Sequence, residues 1–122
     1  MGEQIRSSRD LRVWQQGMAL TEQVYLLTRT WPKEELYGLT SQARRAAVSI
    51  PANIAEGYAR QSRASYANFL TIARGSLKEL ETYILLAERI GLSQPKATAP
   101  LLTLSDDLGR MLGGLIRKLS PD

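Results

Sequence analysis

The sequence predicts an all-α fold, an antiparallel up-down four-helix bundle, on three observations. Apolar residues recur at helical spacing along the chain, and no segment sustains the alternation of a strand. Turn signals divide the periodic stretches into four segments joined by short links. At 122 residues the chain suits one core, since two independent cores would each be small. Residues 1–9 are expected to be a flexible N-terminal arm, and residues 10–122 a single bundle domain.

The first helix is expected over about Asp10 to Thr30, with Asp10 as N-cap. Its seam is Val13, Gly17, Leu20, Val24 and Leu27, and Trp14, Met18 and Tyr25 widen the apolar stripe. Pro32 ends it, because a proline pushes the preceding residue out of the helical region. Lys33 to Gly38 form a connection with room for one helical turn. The second helix spans Leu39 to Tyr58 and buries Leu39, Ala43, Ala46, Ala47, Ile50 and Ile54. Pro51 inside it removes the hydrogen bond to the Ala47 carbonyl and predicts a kink. The small residues on this face permit a close approach by a neighbour.

Ser62 caps the third helix. Tyr66, Leu70, Ala73, Leu77, Leu80, Ile84 and Ala87 then follow alternating steps of four and three on one seam. Gly91 supplies a C-terminal stop. The fourth helix runs from about Ala97 to Leu119, with Pro100 in its first turn. Its expected seam is Leu101, Leu104, Leu108, Met111, Leu115 and Leu119, with Leu112 and Ile116 beside it.

Composition excludes several chemistries. The chain has no cysteine and no histidine, so disulfides, Cys/His zinc sites and imidazole-based catalysis are ruled out. Ser93-Gln94-Pro95-Lys96 fits a serine acyl-enzyme pattern but lies in a turn without its companion motifs. Gly109 and Gly113 read as a close helix crossing or a softened helix end, and Glu81 and Glu88 as surface partners of Lys78 and Arg89. No enzyme, cofactor or metal is expected. With no apolar leader and no run long enough to cross a membrane, a cytoplasmic location is expected.

Two polar features stand out. The net charge is +4, yet residues 39–78 hold Arg44, Arg45, Arg60, Arg63, Arg74 and Lys78 against Glu56 alone, a local +5, and the rest of the chain sums to −1. Arginine forks suit phosphate, and Tyr58 and Tyr66 in the same segment can stack on unpaired bases. The alternative is an ordinary solvated face. The second feature is a stripe of Arg45, Ser49, Asn53, Glu56 and Arg60 on one side of the proline-containing helix. Asparagine and proline are poor helix formers, so their clustering marks a site or an interface, unless Ser49 and Asn53 simply bond backbone groups freed by Pro51.

These blocks carry a family resemblance. Asp10-Leu11-x-Val13-Trp14-Gln15, Tyr37-Gly38-Leu39-x-x-Gln42-x-Arg44-Arg45-Ala46 and Phe69-Leu70-x-Ile72-Ala73-x-Gly75-Ser76-Leu77 flank the most specific block, Ala47-Val48-Ser49-Ile50-Pro51-x-Asn53-Ile54-Ala55-Glu56-Gly57. Together they resemble the bacterial four-helix bundle proteins encoded in intervening sequences of 23S ribosomal RNA genes. The resemblance runs from about Asp10 to Leu92 and implies a homo-oligomer, a pentamer in relatives, with no catalytic residues to carry over. A related branch, the accessory proteins of diversity-generating retroelements, is a basic barrel that binds nucleic acid and a reverse transcriptase. By that resemblance RNA or DNA is the expected partner, and a reverse transcriptase is one if the chain is of that branch. Ser49, Pro51, Asn53, Glu56 and Gly57 form the expected interface motif. The competing expectation is an oligomeric protein-interaction scaffold that binds no nucleic acid.

Overall fold

The computed structural model describes residues 4–120. Within them lie four helices, α1 (Arg12–Thr28), α2 (Leu39–Tyr58), α3 (Arg63–Arg89) and α4 (Pro95–Leu119), with short 3-10 turns at Ser8–Asp10 and Lys33–Glu35. Each helix packs on two neighbours, α1 on α2 and α4, and α3 on α2 and α4, with no diagonal contact among the described residues. Short links and this square arrangement give the up-down bundle. Its core is one cluster of Leu, Ile, Val and Ala from all four helices, together with Trp31. Of the arm expected over residues 1–9, residues 1–3 lie outside the described residues, and Ser8 and Arg9 belong to the first 3-10 turn.

The expected seams of α1, α2 and α3 are buried in the structure, apart from Tyr66, which is half-buried. Three details differ. Asp10 does not cap α1: its carboxylate points backward and accepts from the Arg6 and Ser7 backbone N–H groups at 2.8 and 3.0 Å, so α1 starts only at Arg12. On α4 the buried set is Thr98, Leu101, Ser105, Leu108, Leu112 and Gly113, whereas Leu104, Met111, Leu115 and Leu119 of the expected seam are only partly buried. The helix is rotated toward its hydroxyl residues, because Thr98 and Ser105 find hydrogen-bond partners on α3. α4 also begins at Pro95, two residues before the expected start, which leaves Pro100 beyond its first turn.

Glycines set two boundaries. Gly91 has φ +80°, and the Leu92 N–H donates to the Ala87 carbonyl at 2.8 Å, which closes α3 as expected of a glycine stop. Gly57 lies where α2 crosses α3: a Cβ there would sit 2.6 Å from the Phe69 Cβ. Gly75, on the exposed side of α3, has no such neighbour within 4 Å. Gly57→Ala is therefore expected to destabilise the fold by roughly 1–3 kcal/mol through overpacking. Gly75→Ala should stabilise it by about 0.5–1 kcal/mol through helix propensity. Thermal unfolding followed by circular dichroism checks both, and the two shifts should have opposite signs.

Candidate nucleic-acid interface

The six nominated cations are spread over several parts of the bundle. Arg44 lies on the α1–α2 side, where its Nε donates to the Thr28 hydroxyl at 2.8 Å and its guanidinium covers the Tyr25 ring at 4.6 Å. Arg45 is exposed, beside Ser49, Glu79 and Tyr83 in the α2–α3 groove. Arg74 and Lys78 lie on the α3–α4 side with Glu81, Asp106 and Arg110, and the Lys78 ammonium is 3.4 Å from Glu81. Arg60 and Arg63 belong to the α2–α3 corner. Arg60 pairs with Glu56 at 2.7 Å and stacks over Phe69 at 4.9 Å, and Arg63 donates to the Lys118 carbonyl at 2.6 Å. Arg44 and Arg45 line one groove with Tyr25 and Tyr37, Arg74 and Lys78 line another on the α3–α4 side, and Arg60 and Arg63 flank the short link between α2 and α3.

The polar stripe on α2 is packed between helices over its central part. The Ser49 and Ser76 hydroxyls are hydrogen-bonded at 2.9 Å across α2 and α3. The Asn53 amide donates to the Ser49 carbonyl at 2.8 Å and to the Ser49 hydroxyl at 2.9 Å. The carbonyl that Pro51 leaves without an N–H partner, that of Ala47, is served from another helix: the Thr21 hydroxyl of α1 lies 3.0 Å away. The same hydroxyl is 2.8 Å from the Gly17 carbonyl, which already has its helical partner. Buried Pro51 and Gly17 face each other here; a Cβ on residue 17 would sit 3.5 Å from the proline ring. Ser49, Pro51 and Gly57 thus lie where α2 meets its neighbours, Asn53 bonds back to Ser49 within α2, and Glu56 stays exposed in its pair with Arg60. The sequence reading missed Thr21, although the carbonyl orphaned by Pro51 called for a donor.

Of the expected surface pairs, Lys78 with Glu81 is present and Glu88 with Arg89 is absent among the described residues, and both carboxylates also meet hydroxyls of α4. Glu81 accepts from the Ser105 hydroxyl at 2.7 Å, and Glu88 accepts from the Thr98 hydroxyl, both hydroxyl residues being fully buried. Arg89 has no partner among the described residues, while Lys78 keeps its Glu81 contact. Tyr58 and Tyr66 meet edge to face, with centroids 5.9 Å apart. Burial, and then the neighbouring Tyr58, hold the Tyr66 hydroxyl above its ordinary value of 10.0.

An open groove of about 590 Å³ lies between α1 and α2, lined by Tyr25, Leu36, Tyr37, Arg44 and Val48 among others, with no carboxylate. No group of three or more metal-ligating side chains occurs among the described residues. No helix there is long and apolar enough to cross a membrane.

The model of a family described as 23S rRNA-intervening sequence protein matches residues 9–114. The chain belongs to that family. A solved structure of similar fold comes from Bacteroides thetaiotaomicron: a protein of unknown function from the S23 ribosomal protein family, 24% identical, with a TM-score of 0.80 over 85% of this chain and 97% of that one. No curated protein matches the sequence. The intervening-sequence family match reaches beyond Leu92, where the resemblance of the sequence blocks stops, and takes in most of α4.

Two measurements check the structural roles of this region. Thr21→Val should leave the Ala47 carbonyl unpaired and cost about 1–3 kcal/mol in urea unfolding. The raised Tyr66 proton affinity adds stability below pH about 10, where both states are protonated, relative to more alkaline solution. Stability should fall as pH rises through that range, because the unfolded tyrosine ionises first, and Tyr66→Phe should reduce the fall.

Proposed function

We propose that this family member is a non-enzymatic homo-oligomer of the cytoplasm that binds RNA or DNA through phosphate contacts with exposed basic side chains. The observation that carries the reading is the accessibility of the cations. Arg45, Arg60, Arg63, Arg74 and Lys78 are all exposed, and carboxylates reach only Arg60 and Lys78. Exposed ion pairs of this kind are weak, so a phosphate competes for both side chains at little cost. Glu88 is withdrawn from the surface toward the Thr98 hydroxyl, and Glu81 is shared between Ser105 and Lys78. Absent histidine and cysteine, and the lack of a carboxylate in the main groove, support a non-catalytic role.

Self-association is supported by apolar side chains left in water. Leu26 and Tyr37 near α1 and α2 are 52% and 93% exposed, and Leu85, Leu86 and Ile90 form an apolar ridge at the end of α3. Two separate apolar areas on one chain suit a cyclic assembly in which one copy's ridge meets the next copy's groove. A pentamer agrees with the resemblance. Repetition of the basic surface around such a particle multiplies phosphate contacts. These apolar areas also favour the second reading, a scaffold that binds protein alone.

A salt titration with single-stranded RNA separates the two. Binding should weaken with salt at a slope of about 0.7 per phosphate contacted, so a slope of about 3.5 corresponds to about five contacts, whichever exposed cations make them. No binding at low salt leaves the scaffold. Leu26→Ser should lower the mass found by sedimentation equilibrium with little effect on unfolding temperature, because its side chain is half-exposed in the single chain.

A further inference from the structure

Charge along the bundle is distributed differently from charge along the sequence. One end is built from four segments: the start of α1, the end of α2, the start of α3 and the end of α4. Their meeting is fixed by contacts of the first 3-10 turn with α1 and α2, by the short Ala59–Ser62 link, and by the Arg63 hydrogen bond to the Lys118 carbonyl. Arg6, Arg9 and Arg12 come from the first segment, Arg60 and Arg63 from the corner, and Arg117 and Lys118 from the last turn of α4; all seven are exposed. Against them stand only Asp10 and Glu56 among the described residues. Counting Glu3 and Asp122, which lie outside those residues, still leaves seven cations to four carboxylates.

The rest of the bundle is close to neutral. Through its middle, Arg44, Arg45, Arg74, Lys78 and Arg110 are matched in number by Glu22, Glu79, Glu81, Asp106 and Asp107. At the opposite end Arg29, Lys33, Arg89 and Lys96 stand with Glu34, Glu35 and Glu88. The chain's excess positive charge is therefore gathered at one end, and Arg6, Arg9, Arg12, Arg117 and Lys118 contribute to it without belonging to the basic central segment.

Helix physics argues against placing cations at two of these positions. Arg12 and Arg63 are the first residues of α1 and α3, and neither helix has an acidic residue in its first turn. A helix start favours Asp or Glu, so an arginine there is unfavourable for the single helix. Six of the seven cations are arginines, whose planar fork suits phosphate oxygens. A membrane surface is a poorer match, because Ile5 is the only large exposed apolar side chain at this end among the described residues, and interfacial binding needs an apolar face to insert.

We infer that this end of the bundle, and not the middle of α2 and α3, is the nucleic-acid phosphate-binding surface. The inference rests on the nucleic-acid reading above and assigns it a location. Arg9, Arg12 and Lys118 are suitable for testing it, since their side chains make no hydrogen bond or ion pair among the described residues.

The experiment is fluorescence anisotropy of a short labelled single-stranded RNA across a salt series, with three proteins. One is the unaltered chain, one carries Arg9→Gln, Arg12→Gln and Lys118→Gln, and one carries Arg45→Gln, Arg74→Gln and Lys78→Gln. Unchanged melting temperatures confirm that both triple variants fold. The end variant should lose about tenfold or more in affinity at moderate salt, with the salt slope reduced by about 2 for three lost contacts. The middle variant should lose no more than about threefold. Equal losses, or a larger loss in the middle variant, overturn the assigned location and leave nucleic-acid binding standing. No binding by the unaltered chain overturns both. Phosphatidylserine vesicles serve as a further probe: loss of vesicle binding in the end variant with RNA affinity intact makes the surface a lipid contact and overturns the inference.

Discussion

The Thr21 hydroxyl stands 3.0 Å from the Ala47 carbonyl, and the packing of α1 on the proline turn of α2 is organised around that contact. Pro51 deletes one hydrogen bond inside α2 and exposes a carbonyl that burial would make costly. α1 supplies the missing donor only if it lies close, and Gly17 packs opposite the Pro51 ring, where even an added Cβ would be in ordinary contact at 3.5 Å. On the other side of α2, Ser49 reaches Ser76, and Gly57 leaves space for Phe69 and Tyr66. A proline that breaks the rules of an isolated helix is thus compensated by side chains from its neighbours. The same contacts fix the heights of α1 and α3 relative to α2, and with them the place where the four segments of the basic end meet.

Helical period and glycine signals made most of the bundle legible in the sequence. The α3 seam from Leu70 to Ala87 is buried as its spacing predicts, and the bounds of α2 coincide with the expected ones. What the sequence hid was polar burial. Thr98 and Ser105 look like surface residues of α4 until Glu88 and Glu81 are seen to meet them, because apolar periodicity counts hydroxyls as outward. Asp10 misled for a related reason: a carboxylate near a helix start can cap forward or close a turn behind it, and composition does not distinguish the two.

The candidate interface was less legible than the fold. Counting charge along the chain singles out residues 39–78, yet the cations there are spread over several sides of the bundle. Arg44 and Arg45 border one groove, whereas Arg74 and Lys78 lie on the α3–α4 side beside Glu81 and Asp106. A helix turns about 100° per residue, so a run of charge on it is not a patch. The stripe from Ser49 to Gly57 is unusual in composition, and its central hydroxyl and amide groups are engaged in packing.

The antiparallel fold explains how cations persist at the starts of α1 and α3. At one end of an up-down bundle, helix starts alternate with helix ends, so a positive dipole terminus has negative ones beside it. Arg63 shows the consequence. It sits at the unfavourable first position of α3, but its guanidinium reaches the Lys118 carbonyl in the last turn of α4, where a cation is favoured. Arg60 reaches back along α2 to Glu56 and over Phe69 in the same way. Exposed cations gathered at this end therefore cost the fold less than their positions on single helices suggest. That leniency allows charge to accumulate there without a matching set of carboxylates.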